Sequence, residues 1–257
     1  MKHKHLIIYI LLGGIILLFI YCFTAEIKVK LRKVAAVCLT VGEYHSTGLR
    51  TFSLNYGKSL AIFGGSHSIA QESLPLKVYW KEQLNLKITD YGVGGAGYSS
   101  LTAGGTNDVQ SQVRRATSEE AQAFDIYLLW CSTNDYSMNV EVGSITDSLT
   151  TTQNGGLNNC IKMIYHKNPK AKIIMFTSLK IPYDDYDGCA SDGKLANYVR
   201  GQQAVAQYYG IPCVNLFDAI QFNQYNCDQY ITSDKVHLTV PGYMLFADLT
   251  CSALANL

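Results

Sequence analysis

From residue 58 onward, short apolar runs alternate with longer stretches whose apolar residues recur at helical spacing. The runs at 60–63, 86–91, 126–130, 172–177 and 213–216 predict strands, the one at 126–130 a buried central strand. The stretches at 74–84, 110–123, 157–165 and 195–209 predict helices, the last ended by Gly210. Pro241 suits the first turn of a terminal helix running to about Leu254. Strands and helices alternating at these lengths imply an α/β domain with a parallel sheet covered on both faces.

The segment before this pattern reads differently. Residues 6–23 form an uncharged run of 18, long enough to cross a hydrocarbon layer as a helix, with Lys2 and Lys4 before it. An N-terminal transmembrane signal anchor or signal peptide is expected over residues 1–25. Lipidation at Cys22 is a further option, but Tyr21 precedes it where a small side chain would be wanted. Lys28, Lys30, Arg32 and Lys33 flank the other end, so the positive-inside rule sets no orientation, and these cations suit anionic headgroups. Residues 26–57 read as a basic stem or N-terminal extension, with a strand-like stretch at 34–41. Membrane contact through residues 6–23 would leave the domain anchored and extracytoplasmic, or secreted if the segment is cleaved.

Charge divides along the same boundary. Residues 1–33 hold six Lys or Arg and one acid, leaving 15 basic and 19 acidic residues beyond, so the overall +1 covers an acidic domain on a basic tether. That balance argues against a nucleic-acid surface. Of eight cysteines none forms a Cys-x-x-Cys pair. Cys131, Cys160, Cys213 and Cys251 have apolar neighbours and read as core residues. Cys189 and Cys227 lie in polar segments and would be free to pair in an exported domain.

The candidate chemistry lies where strands end. Parallel sheets bind ligands at the carboxyl ends of their strands, and Ser66, Gly94-Gly95, Asn134-Asp135 and Asp234 with His237 all map to that rim. A serine hydroxyl needs a base, and a neutral imidazole serves near pH 7. His237 is the candidate base for Ser66, and Asp234, three residues earlier, reaches the other ring nitrogen in one turn. The backbone N–H of Ser66, the N–H of Gly95 and the side-chain amide of Asn134 are candidate donors to an oxyanion.

Other motifs read more plainly. Residues 92–97 satisfy Gly-x-Gly-x-x-Gly, but the Ser-, Thr- and Gly-rich segment that follows does not suit the helix of a dinucleotide site. His67 is an alternative base or metal ligand, although no compact His or Cys cluster accompanies it. No metal or cofactor is expected. Trp80 reads as helix packing; Tyr136, Tyr183 and Tyr186 fall in rim loops within reach of a sugar, although a core or plain surface position is the favoured reading for each.

In order along the chain, Gly64-Gly65-Ser66, Gly92-Val93-Gly94-Gly95, Thr133-Asn134-Asp135 and Asp234-x-x-His237 resemble the four blocks of the SGNH hydrolases, also called GDSL-like lipases and acylhydrolases. The resemblance spans about residues 58–254. It implies a flavodoxin-like three-layer α/β/α sandwich and metal-independent ester hydrolysis, often of acetyl groups on carbohydrate. Ser66 would be the nucleophile, Gly95 and Asn134 oxyanion donors, and His237 the base supported by Asp234. Gly65 stands where the family usually has Asp, and Ser132 where it has Gly. The expected activity is a serine esterase acting on a carboxylic ester, with a lipase or lysophospholipase, or a catalytically silent glycan-binding domain, as alternatives.

Overall fold

The computed structural model of the chain describes residues 53–131, 133–180, 195–219 and 225–257. The apolar run at 6–23, the stretch at 34–41, Ser132, Tyr183, Tyr186 and Cys189 lie outside the described residues. Among the described residues, no helix is long and apolar enough to cross a membrane.

Strands β1 (Ser59–Gly64), β2 (Lys87–Asp90), β3 (Ile126–Trp130), β4 (Lys172–Phe176) and β5 (Cys213–Val214) form one sheet. Every neighbouring pair is parallel, and the order is β2-β1-β3-β4-β5. The apolar runs become the central strands because both of their faces are covered, whereas the edge strand β2 carries Lys87, Thr89 and Asp90. The chain leaves β1 for one edge and returns to β3 on the other side. That reversal opens a crevice at the carboxyl ends of β1 and β3.

Helices fill both faces. On one, α3 (Val109–Ala116), α5 (Gln153–Lys167) and α6 (Leu195–Tyr209) present Val113, Leu157, Ile161 and Val205 to Phe63, Tyr127, Leu129 and Met175. On the other, α2 (Leu74–Leu84) and α10 (Ala247–Ala255) cover the sheet. Here fully buried Trp80 packs against Trp130 and Phe176, with ring centroids 6.1 and 5.9 Å away. Its indole N–H donates to Thr250 Oγ1 at 3.0 Å, so the helix-packing role expected of Trp80 is what the fold uses. The short helices α1 (Ser66–Ile69), α4 (Asn134–Ser137), α7 (Leu216–Ala219), α8 (Cys227–Tyr230) and α9 (Val240–Met244) sit in the connections.

Several boundaries differ from the pattern, each for a local reason. The helix expected at 110–123 ends at Ala116, where the Thr117 hydroxyl turns back to Val113 O at 2.8 Å. The helix expected at 157–165 starts earlier, capped by Thr152 Oγ1 accepting from Gly155 N at 3.1 Å. Gly155 and Gly156 weaken a helical signal but permit close approach: a Cβ on Gly156 would lie 2.1 Å from Tyr98 O. The single terminal helix is two, α9 and α10, interrupted at Leu245 and Phe246. Leu216 opens a helix rather than ending β5. Cys213 is only half-buried, and Cys227 is a buried free thiol in α8 rather than a loop residue. Residues 53–57, expected in the stem, belong to the domain: fully buried Asn55 donates to Leu254 O at 2.7 Å and accepts from Lys172 Nζ at 2.9 Å.

Candidate active site

β1 delivers Ser66 directly. The strand ends at Gly64, whose would-be Cβ lies 2.7 Å from Trp130 O, and half-buried Ser66 opens α1. Its amide, first in the helix, has no intrahelical acceptor. Gly65 brings no side-chain cap, and the turn is held by other means. Ser68 donates to Gly65 O from both its amide, at 3.1 Å, and its hydroxyl, at 2.9 Å. From α3, fully buried Gln112 accepts from Gly64 N and donates to Gly64 O, each at 3.0 Å, much as a neighbouring strand would.

The partner of Ser66 comes from a turn 171 residues later. His237 Nε2 lies 2.7 Å from Ser66 Oγ, and His237 Nδ1 lies 2.7 Å from Asp234 Oδ2. Asp234 Oδ1 accepts from Thr232 Oγ1 at 2.6 Å and from the amides of Val236 and His237 at 2.9 and 3.0 Å. Partial burial pushes the Asp234 carboxyl upward, but these donors and the imidazole outweigh it and hold the group well below the usual carboxylate range. An ionised Asp234 fixes the proton of His237 on Nδ1 and leaves Nε2 able to accept from Ser66. The turn does not directly follow a strand as expected; it follows α8 and is closed by an antiparallel bridge between Ile231 and Leu238.

The loops after β2 and β3 flank the serine turn. Val93 N donates to Gly64 O at 3.1 Å, and a Cβ on Gly92 would lie 2.3 Å from Ser68 Oγ, so this loop presses against α1. The turn over residues 93–96 closes through Ala96 N to Val93 O at 3.1 Å, and exposed Gly95 takes φ +77° within it. Half-buried Asn134 donates from Nδ2 to Ala96 O at 2.9 Å. Asp135, fully buried behind it, accepts from Tyr98 N at 2.8 Å and Ser99 N at 2.9 Å. Burial pushes the Asp135 carboxyl up to about 6 against the pull of those two amides. A side chain at Gly97 would collide with this carboxylate at 2.6 Å.

The loop at 92–97 leads to further turns, and α3 begins only at Val109, so the helix of a dinucleotide site is missing. Tyr136 takes the core alternative to sugar contact, buried against Tyr198 with ring centroids 5.5 Å apart. His67 is buried too, its Nε2 3.1 Å from Val236 O, which rules it out as the base for Ser66. Among the described residues, no group of three or more His, Cys, Asp or Glu is placed to hold a metal ion. Gln112 escapes a reading of the sequence, and so does the anchoring role of Asp135, which that reading places on the rim, because each binds backbone of a distant loop and no spacing rule announces that.

The family model of the GDSL-like lipase/acylhydrolases matches residues 63–245. The chain belongs to the GDSL-like lipase/acylhydrolase family. Membership makes it a hydrolase of the serine ester class, and the fold agrees. A lipase/acylhydrolase from Enterococcus faecalis superposes with a TM-score of 0.55 at 15% identity, covering 77% of this chain and 96% of its own. A member of the lipolytic G-D-S-L family from Veillonella parvula gives 0.53 at 18%, covering 77% and 99%. A Lactobacillus plantarum protein gives 0.62 at 19%, covering 77% and 97%. At these identities the likeness speaks for the fold. Among curated proteins no sequence matches the chain.

Proposed function

We propose that this family member is a serine esterase that works through an acyl-enzyme on Ser66. The observation that carries the reading is the unbroken chain Ser66–His237–Asp234, with 2.7 Å at each link. His237 takes the hydroxyl proton as Ser66 Oγ attacks the ester carbonyl, and the tetrahedral oxyanion is stabilised by the amides of Ser66 and Gly95 and by Asn134. The imidazolium returns its proton to the leaving alcohol, and water activated by the same His237 releases the acid and restores Ser66. No step calls for a metal or cofactor.

The finer reading is removal of acetyl groups from carbohydrate. An open rim supports it: Gly94 and Gly95 are exposed and the Asp234 side chain is half exposed, which suits a small acyl group displayed on a large polar carrier. A second reading, hydrolysis of longer acyl chains in the manner of a lipase, draws on Ile69, one turn beyond Ser66, and Met138, just past α4, both exposed. Residues 6–23 would tether the domain to a membrane, extracytoplasmically, or direct its secretion if cleaved.

A panel of acetylated oligosaccharides and short- and long-chain esters, hydrolysed by wild type and by folded Ser66→Ala, tests class and substrate together. Loss of about 10³-fold or more in kcat is expected in the variant. Unchanged turnover would remove the serine mechanism, and preference for long chains would favour the second reading. Carbonate extraction and protease accessibility of the full chain test the tether.

A further inference from the structure

We propose that His67 is a positioning residue: it sets the reach between the nucleophile turn and the base turn by donating its ring N–H to the Val236 carbonyl. The proposal rests on the reading of Ser66 as nucleophile and His237 as base. It concerns a residue that neither touches the reacting atoms nor belongs to the relay.

A carbonyl oxygen only accepts, so at 3.1 Å from Val236 O the His67 Nε2 must carry the proton. Nδ1 is buried without a hydrogen-bond partner, and a second proton placed there would have no acceptor. Burial, with a smaller contribution from neighbouring His237, lowers the ring's pKa to about 4, against the pull of the Val236 bond and of Asp234. The ring is therefore a neutral, single-donor side chain in one tautomer. It can act neither as a second base for Ser66 nor as a cation beside His237.

The placement of this bond gives it leverage. His67 adjoins Ser66 in the chain, and Val236 adjoins His237, so the two segments face each other as a ladder of two rungs. One rung is the reacting pair at 2.7 Å, and the other is the His67–Val236 bond at 3.1 Å. The two imidazoles also meet edge to face, with centroids 5.4 Å apart and planes at 70°. Bonds within the base turn, from Asp234 to the amides of Val236 and His237 and from Thr232 N to His237 O, fix its internal shape. They do not reach α1. The outer rung does, and its His67 end is buried while Val236 is half-buried and the Asp234 side chain is half exposed. A bond shielded from water at its donor end holds its geometry better than the exposed bonds of the base turn.

Two substitutions in the full chain separate positioning from packing. His67→Phe keeps a ring against His237 but orphans the Val236 carbonyl, and kcat for p-nitrophenyl acetate should fall about tenfold with KM within about twofold of wild type. His67→Gln places an amide N–H at nearly the same reach and should restore kcat to within about threefold. An unchanged Phe variant, or equal losses in both, would overturn the proposal. Nitrogen NMR of the wild-type imidazoles reads the bond whether or not a variant folds: a neutral Nε2–H tautomer at pH 7 is expected, and an Nδ1–H tautomer or an imidazolium would contradict it. Failure of the underlying reading looks different, since wild type would then escape labelling at Ser66 by a fluorophosphonate while the His67 tautomer stayed as stated.

Discussion

The two sides of the candidate site are built in opposite ways. On the base side, His237 and Asp234 stand on a short turn shaped by its own bonds, with 29% and 50% of their side chains exposed, and the buried His67 N–H reaches across to it. On the oxyanion side, the exposed loop around Gly95 hangs on a buried ion-forming group, Asp135, whose carboxylate holds two successive loop amides. The base side needs a ring that can turn over protons near solvent, so it is local and half wet. The oxyanion side needs donors that do not move when charge appears, and deep polar anchoring supplies that rigidity.

Substitutions on each side should break the site differently. Asp234→Asn, the largest expected effect, lets an amide N–H face His237 Nδ1 and forces the ring proton onto Nε2, where it can no longer accept from Ser66; kcat should fall about 10⁴-fold. Asn134→Ala removes the proposed oxyanion donor and should cost about 10²-fold in kcat, with substrate affinity little changed. Steady-state kinetics on one ester measure both. A loss under Asn134→Ala that appeared wholly in KM would place Asn134 in ground-state binding instead.

The two buried anchors should also give opposite pH dependences of stability. His67 has an ordinary pKa of 6.5 and a native one of about 4, so its neutral ring stabilises the fold above pH 6.5, and this contribution is lost as pH falls toward and through 4. In full it amounts to about 3 kcal/mol. Asp135 runs the other way, with an ordinary value of 3.8 and a native one of about 6. Its contribution is present below 3.8 and is lost as pH rises through 6, again by about 3 kcal/mol in full. In wild type the two trends largely offset between pH 4 and 6. Urea unfolding of His67→Gln should uncover a decline with rising pH, and Asp135→Asn a decline with falling pH, because each leaves the other anchor unopposed. Parallel curves for both variants would sink this account.

The smallest effect belongs to Asp135→Asn at pH 7. The amide offers an oxygen to one of Tyr98 N and Ser99 N but turns its own N–H groups on the other, which should cost about 2 kcal/mol in chemical unfolding. The cost is reduced by relief of the charge that Asp135 carries in its buried position. Equal stability with unchanged kcat would mean that the oxyanion loop is held elsewhere.

What could be read from the chain follows from how each group acts. Ser66, Gly95 and Asn134 are legible because each comes just after an apolar run, and a parallel sheet returns those ends to one rim. Asp234 and His237 are legible because three residues of separation let one turn join them. His67 and Asp135 stand out only beside Ser66 and Asn134; they and Gln112 act on backbone amides and carbonyls far away in sequence, and any residue has those, so no spacing marks these roles. The helix α5 hides its start behind Gly155 and Gly156, whose role is close approach rather than helix formation. The neighbourhood of Tyr136 leaves rim and core both open, and an amphipathic ring settles in the core because Tyr198 is there to meet it.

The central claim is that Ser66, activated by His237, forms the covalent acyl-enzyme. Intact-mass and peptide analysis of the full chain after treatment with a fluorophosphonate tests it most directly. A single adduct on Ser66 is predicted, absent in Ser66→Ala and formed far more slowly in Asp234→Asn. Labelling that persists in Ser66→Ala, or a folded wild type that takes no label while still hydrolysing esters, would contradict it.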